Sequence, residues 1–293
     1  MAISPLDDSA AAPKHERPLA KAWRRLVARR SALLGLVILA ALLTLALAAP
    51  LVAPFDPARQ NYTAVRKAAS AVHWFGTDES GRDVFSRVVW GARSSLQAGI
   101  VSIAIALGLG VPIGLLAGYR GGIVDGLISR MTDALLACPF LILAIALAAF
   151  LGPSLTNAMI AIGVTATPVF IRLTRAETRT VMVEDYVQAA RAVGNPGYRI
   201  ALRHILPNIL PALIVQATIS VATAIIAEAS LSFLGLGQQP PAPSWGSMLN
   251  TAQRFLTSAP WMAIWPGLAI FLTVLSFNLV GDGLRDALDP KER

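Results

Sequence analysis

The chain has 293 residues, 55% hydrophobic and only 14% charged, with a mean hydropathy of +0.60. Soluble domains carry roughly 25% charged residues, so this composition marks a membrane protein. The net charge of +8 rests on 21 Arg and 4 Lys that flank apolar runs; that is a pattern of membrane orientation, not a soluble basic face for nucleic acid. The single Cys138 excludes an internal disulfide framework and a multi-cysteine metal site. In its apolar segment it reads as a small core residue, and no metal site is expected.

Residues 1 to about 30 are polar and basic, with Pro5, Pro13 and Pro18, and read as a disordered start ending in a juxtamembrane anchor from Trp23 to Arg30. Charge-free runs follow at 31–54, 94–119, 134–171, 204–227 and 255–281. A spanning helix takes about 20 apolar residues. Six spans are expected, at about 31–53, 95–119, 129–151, 154–173, 208–232 and 262–282, with the long middle run split at Gly152-Pro153. The first run follows a 30-residue polar head and ends in APLVAPFDP, without a clear small-residue cleavage site, so it reads as a retained helix. Gly110, Gly114 and Gly118 form a row that lets helix backbones approach closely. Pro139, Pro168 and Pro266 are expected to kink their helices. Segment 233–260, with Gly235, Gly237, Pro240, Pro241 and Pro243, reads as a loop.

Lys and Arg set orientation. With the N-terminus inside, eighteen of them fall inside and seven outside. Both termini are therefore expected in the cytoplasm. The chain then divides into a basic tail (1–30), a first helix (31–53), an extracytoplasmic loop (54–94), a five-helix core (95–282) with a cytoplasmic loop at 174–207, and a C-terminal tail (283–293).

The most informative stretch is Glu184 to Pro207, a basic, partly polar island between apolar runs. Glu184 and Asp185 suit a helix start, where negative charge complements the dipole. Val187, Ala190 and Val193 recur on one helical face. Gly194 suits a helix end, and Asn195 and Pro196 read as the cap and first-turn proline of a second short helix. Arg199 and Arg203 lie four apart on it, and Pro207 is expected to stop it. Ala189, Ala190 and Ala192 leave room for a partner. The residues alone support two readings equally: an amphipathic helix lying on lipid, or a docking element.

Gln188-Ala189-Ala190, Gly194 and His204-Ile205-Leu206-Pro207, at their spacing, resemble the EAA loop of bacterial ABC-importer permeases, EAA-x3-G-x9-I-x-L-P. Gln188 stands where the motif has Glu, and His204 where it has Ile. In that family the loop forms the coupling helices that dock into a groove of the ATPase subunit. Further motifs resemble the dipeptide/oligopeptide/nickel subfamily: Phe75-Gly76-Thr77-Asp78, Gly81-Arg82-Asp83, Ser86-Arg87, Gly91-x-Arg93-x-Ser95-Leu96, Leu231 to Gly237, Trp245-Gly246 and Phe277 to Pro290. They match the C-type partner of the permease pair, the one with a long ordered loop after its first helix.

The resemblance implies an all-α bundle of six transmembrane helices with the type I importer (MetI-like) fold in the bacterial inner membrane. It also implies a homologous permease partner, two ABC ATPase subunits that use ATP and Mg, and an extracytoplasmic solute-binding protein. Di- or oligopeptides are the expected cargo, with nickel, glutathione or another small solute as the alternative.

Within the external loop, Asp78, Arg82, Asp83 and Arg87 stand at helical spacings, Asp83 and Arg87 being i,i+4. They read either as a solvated, self-paired scaffold or as docking contacts for the binding protein. Glu228 is the one acid well inside an apolar run; a pathway role and a helix–helix hydrogen bond are equally consistent with that place. His204 reads as structural. Asp133 is expected to pair with a nearby Arg such as Arg130, and Asp282, Arg285 and Asp286 to form a charge cluster. None of Lys14, Lys21, Lys67 and Lys291 follows a Gly, so no phosphate-cradling P-loop is present. The chain is expected to perform no bond chemistry and to bind no cofactor. A secondary transporter or channel would show several intramembrane ionisable residues and often internal repeats; the sequence has essentially one such residue and no clear repeat.

Overall fold

A computed structural model describes residues 18–288. The expected disordered start up to residue 17 and the tail from Asp289-Pro290 onward lie outside the described residues.

Among the described residues the regular structure is all helical apart from one isolated bridge between Thr77 and Asp83. Among the described residues, five helices are long and apolar enough to cross a membrane, and a sixth crossing is available if one bent pair counts as a single span. Helix α1 (Pro18–Ala28) precedes the first of them, α2 (Arg30–Leu47), which is followed by a single turn, α3 (Ala49–Val52). The segment from Pro18 is thus helical and not disordered, because Leu26 finds a place against Ala32 and Ala287 and Arg29 pairs with Asp286.

Helix α4 (Val84–Arg120) starts well before the expected residue 95. Asp83 explains the early start: its carboxylate accepts from the Ser86 N–H at 2.8 Å, closing the first turn. Helices α5 (Gly122–Leu136) and α6 (Phe140–Leu151) meet at 89°. The expected kink at Pro139 is therefore a full break, since proline lacks the N–H that would continue the ladder. Cys138 sits in this break, half-buried, and not in the core of a helix.

Helix α7 (Leu155–Met182) opens on Ser154, whose hydroxyl accepts from the Asn157 N–H at 3.0 Å, and runs past the expected end at 173. It packs along α4. A Cβ added at Gly110, Gly114 or Gly118 would come within 2.6–2.7 Å of Phe170, Thr174 or Thr178, so the glycine row lets these two backbones touch.

The chain then turns through α8 (Asp185–Ala192) and α9 (Gly197–Ile200) into α10 (Leu206–Phe233), which contacts α4, α7 and α12 (Trp261–Leu288). The expected loop 233–260 contains a short helix, α11 (Trp245–Ala252), opened by a capping box at Ser244 and Ser247 and followed by a 3-10 turn at Gln253–Phe255. Trp245 is fully buried, and its indole N–H donates to the Val88 carbonyl at 3.0 Å.

Candidate functional site

The segment read from the sequence as a docking element is an elbow at one end of the bundle. Glu184 is the N-cap residue of α8, without a side-chain capping bond, and Asp185 lies in its first turn. Val187 and Ala190 turn inward and are buried. Val193 does not share that face: α8 ends at Ala192, and Val193 is 78% exposed. Gly194 follows at φ +78, with nothing within 4 Å of where a Cβ would sit. Its N–H donates to the Arg191 carbonyl, and the Asn195 N–H to the Ala190 carbonyl, so the last turn of α8 is tied off.

The second helix departs from expectation at both ends. The capping position is Pro196 and not Asn195, and no side chain caps it. Pro207 does not stop the helix. From α9 the backbone passes through a π turn (Ala201–Ile205) straight into α10, giving a 37-residue helical stretch from Gly197 to Phe233. The physical reason lies in that turn: the Leu206 N–H bonds to the Ala201 carbonyl, five residues back. The wider turn accommodates a proline that lacks its own N–H.

The elbow is anchored on its inner side by Ile200 and Ile205, both buried, and by Gly197, where an added Cβ would meet the Tyr119 ring at 2.9 Å. Its outer side presents Tyr186, Val193, Tyr198 and Leu202 together with Arg191, Arg199 and Arg203, all exposed. Gln188 is also exposed and donates to the Met182 carbonyl at 2.7 Å, linking α8 to the end of α7. Ala189 faces outward and Ala190 inward. His204 is half-buried, Leu206 partly buried against the core, and Pro207 exposed. Partial desolvation of its ring and the neighbouring Glu184 raise the Tyr186 phenol above its usual range.

An ionic clamp behind the elbow was not singled out in the sequence. Asp125 on α5 is buried and bonds Arg175, which also reaches it through Nη2 at 2.8 Å, and Arg179 at 2.6 Å. Asp133 pairs with Arg172 at 2.6 Å and not with Arg130. Partners across two helices meet at equal depth, which i,i+3 proximity along one helix does not determine. The legible signal was the stripe Arg172, Arg175, Arg179 at spacings of three and four, facing acids eight apart.

At the opposite end of the bundle, the motif residues of the loop between α3 and α4 form a closed cap. Asp78, Arg82, Asp83 and Arg87 are 5%, 8%, 3% and 6% exposed, so the cluster is self-paired but not solvated. The pairing also differs from i,i+4 expectation. Arg87 lies 3.4 Å from Asp78 and donates to the Pro57 carbonyl at 2.8 Å, while Asp83 caps α4 and sits 2.9 Å from His73 Nδ1. Arg82 binds Asp78 at 2.6 Å and also Glu79. Gly81, at φ +73, has no room for a Cβ because the Asn61 carbonyl occupies that space. Gly76 packs on the Trp261 indole, which donates to the Thr77 carbonyl at 3.1 Å, and Phe75 stacks on Trp265.

Glu228 lies fully buried in α10. It accepts from Ser95 on α4 at 3.0 Å and from Ser232 at 2.6 Å. The bond to Ser95 joins α10 to α4, the helix–helix hydrogen bond of the two sequence readings. Asp286 pairs with Arg29.

Residues 110–293 match the family described as the inner membrane component of binding-protein-dependent transport systems, and residues 17–69 match the N-terminal membrane domain of oligopeptide transport permease C. The chain is 48% identical to the dipeptide transport system permease protein DppC of Alkalihalophilus pseudofirmus, covering 94% of this chain and 90% of that one. It is 45% identical to the di/tripeptide transport system permease protein DppC of Pseudomonas aeruginosa (94% and 92% covered). Identity to the glutathione transport system permease protein GsiD of Pectobacterium atrosepticum is 43% (94% and 91% covered). In fold, the chain is similar to a chain of the inward-facing MetNI methionine ABC transporter, with a TM-score of 0.57 at 23% identity, over 70% of this chain and 98% of that one.

Proposed function

The chain belongs to the family of inner membrane components of binding-protein-dependent transport systems, and from that premise we propose that it forms half of the membrane path of an ATP-driven importer of di- or oligopeptides. The expected MetI-like bundle and the ABC-permease resemblance hold, with five spans among the described residues and a sixth if the bent pair α5–α6 counts as one. The observation that carries the mechanism is the elbow: an exposed, mixed apolar and basic surface joined without a flexible linker to α7 on one side and α10 on the other. Such a surface suits a protein groove, where Tyr186, Val193, Tyr198 and Leu202 would be buried.

In this reading two ATPase subunits bind ATP and Mg, and their closure pushes on α8 and α9. The push rocks α7 and α10, and a path shared with a homologous permease opens alternately to either side. Glu184, Gln188, Ala189, Gly194 and the exposed Pro207 would belong to the contact region, whereas Ala190 and Leu206 would shape it from within. Both termini and the elbow would be cytoplasmic, and a solute-binding protein would dock on the opposite end. The buried cap residues Gly76, Asp78, Gly81, Arg82, Asp83 and Arg87 would hold that docking face in shape and not touch the partner themselves.

Purification of the chain co-expressed with its permease and ATPase partners tests the reading. Co-purification of an ATPase subunit, and ATP hydrolysis raised by a dipeptide-loaded binding protein, are expected. Isolation without any ATPase would overturn it. Glutathione, itself a tripeptide, is the second cargo to assay, because relatives with that name align over the same length.

A further inference from the structure

A cavity of about 270 Å³ opens beside the break between α5 and α6. Its walls come from the middle of three helices (Ile103 of α4, Thr165 and Val169 of α7, Gln216, Ser220 and Thr223 of α10) and from the break itself, with Cys138 between Leu135 at the end of α5 and Phe140 at the start of α6. No Asp, Glu, Lys or Arg lines it. Ligand sites commonly start near about 300 Å³, so the space suits one residue-sized moiety and not an extended oligopeptide.

The two walls differ in chemistry. On α10, Gln216, Ser220 and Thr223 recur at spacings of four and three and form a neutral polar stripe. The Gln216 amide donates to the Ser220 hydroxyl at 3.1 Å, which leaves the Gln216 amide oxygen and the Thr223 hydroxyl without protein partners among the described residues. The facing wall is Ile103, Leu135, Phe140, Leu143 and Val169. The Thr165 hydroxyl is already committed to the Ala161 and Ile162 carbonyls at 2.8 and 3.0 Å. Non-helical backbone at membrane depth is tolerated only where protein covers it or where it lines a cavity. The break at Ala137-Cys138-Pro139 meets that condition here.

We infer that this cavity is a transit subsite for an uncharged, amide-bearing part of the solute, with the amide on the Gln216–Ser220–Thr223 stripe and an apolar side chain against Ile103, Phe140 and Val169. The inference rests on the permease reading and adds a selectivity element to it. The charged ends of a peptide would lie outside the subsite, and a charged side chain would be refused by walls that offer it no counter-ion.

The assembled complex supplies the test. Alanyl-leucine, alanyl-glutamate and alanyl-lysine uptake are compared in proteoliposomes, each divided by the ATP hydrolysis rate it elicits. Ser220→Asp is expected to lower alanyl-leucine and alanyl-glutamate uptake relative to alanyl-lysine by about tenfold, the size of a pocket-level discrimination. Thr223→Val, which keeps the volume and removes the hydroxyl, is expected to slow alanyl-leucine uptake without shifting the charge preference. Cys138, the chain's single cysteine, gives a second readout when the partner subunits are made cysteine-free. N-ethylmaleimide should modify it, and turnover with alanyl-leucine should slow that modification. Equal loss for all three dipeptides in Ser220→Asp would overturn the inference. So would a Cys138 that reacts at one rate with and without peptide, or one that never reacts because the partner permease fills the space. A wild-type complex that hydrolyses ATP but takes up no dipeptide would count against the peptide reading itself.

Discussion

The cap at 54–83 and the elbow at 184–207 look alike as strings: both are rich in charge, glycine and proline, and both interrupt apolar runs. In the folded chain they are opposites. The cap turns its motif charges inward, where Asp78 meets Arg82 and Arg87, Asp83 caps α4, and Trp261 and Phe75 seal the sides, while Asp56, Arg59, Arg66 and Lys67 stay at the surface. The elbow turns its aliphatic residues Val187, Ile200 and Ile205 inward and leaves its arginines and tyrosines on the surface. A charge in a motif therefore marks a contact with a partner only where the fold leaves it unsatisfied; in the cap it marks architecture.

The sharpest way to break this contrast is to remove one buried partner in the cap. Arg87→Ala strips Asp78 of a counter-ion and the Pro57 carbonyl of a donor. Asp78 keeps Arg82 at 2.6 Å, so the loss is that of a buried hydrogen-bond donor, about 1–3 kcal/mol, and a clear drop in the thermal midpoint in detergent is expected, along with loss of uptake. An unchanged midpoint would mean that the cap is not the scaffold described. Gly194→Val should act the other way round. Its strain is confined to one left-handed residue and costs about 1–2 kcal/mol, with open space around the new side chain. Insertion and midpoint should stay close to wild type while peptide-stimulated ATP hydrolysis falls away; normal uptake in this variant would refute the docking role. The smallest effect belongs to His204→Ile, which restores the family residue at a half-buried position. Stability should move by less than about 0.5 kcal/mol, and uptake should be unchanged. A clear loss of transport would give His204 a role that its surroundings do not suggest.

The apolar runs made the spans legible, because about 20 residues without charge leave few alternatives in a bilayer. The row Gly110, Gly114, Gly118 was legible for the same local reason, and it meets α7 as a close-packed seam. The turn at Gly194 was readable from its own chemistry. What stayed hidden was set by partners far apart in the chain. Asp125 finds Arg175 and Arg179 some fifty residues on, Arg87 reaches back to Pro57, and Trp245 buries itself against Val88 inside what read as a plain loop. The passage through Pro207 was hidden for a subtler reason: a proline stops an α-helix, but a π turn before it removes the bond that the proline would have broken.

That π turn has a mechanical consequence. The stretch from Gly197 to Phe233 spans 37 residues, which at 1.5 Å each makes a rod of about 55 Å. Its near end is the outward-facing Tyr198, and its far end is stapled to α4 by Glu228 and Ser95. A displacement at one tip reaches the other along continuous backbone, with no hinge loop on the way to dissipate it. In the proposed mechanism the rod would act as a lever, braced where it contacts α4 and α7.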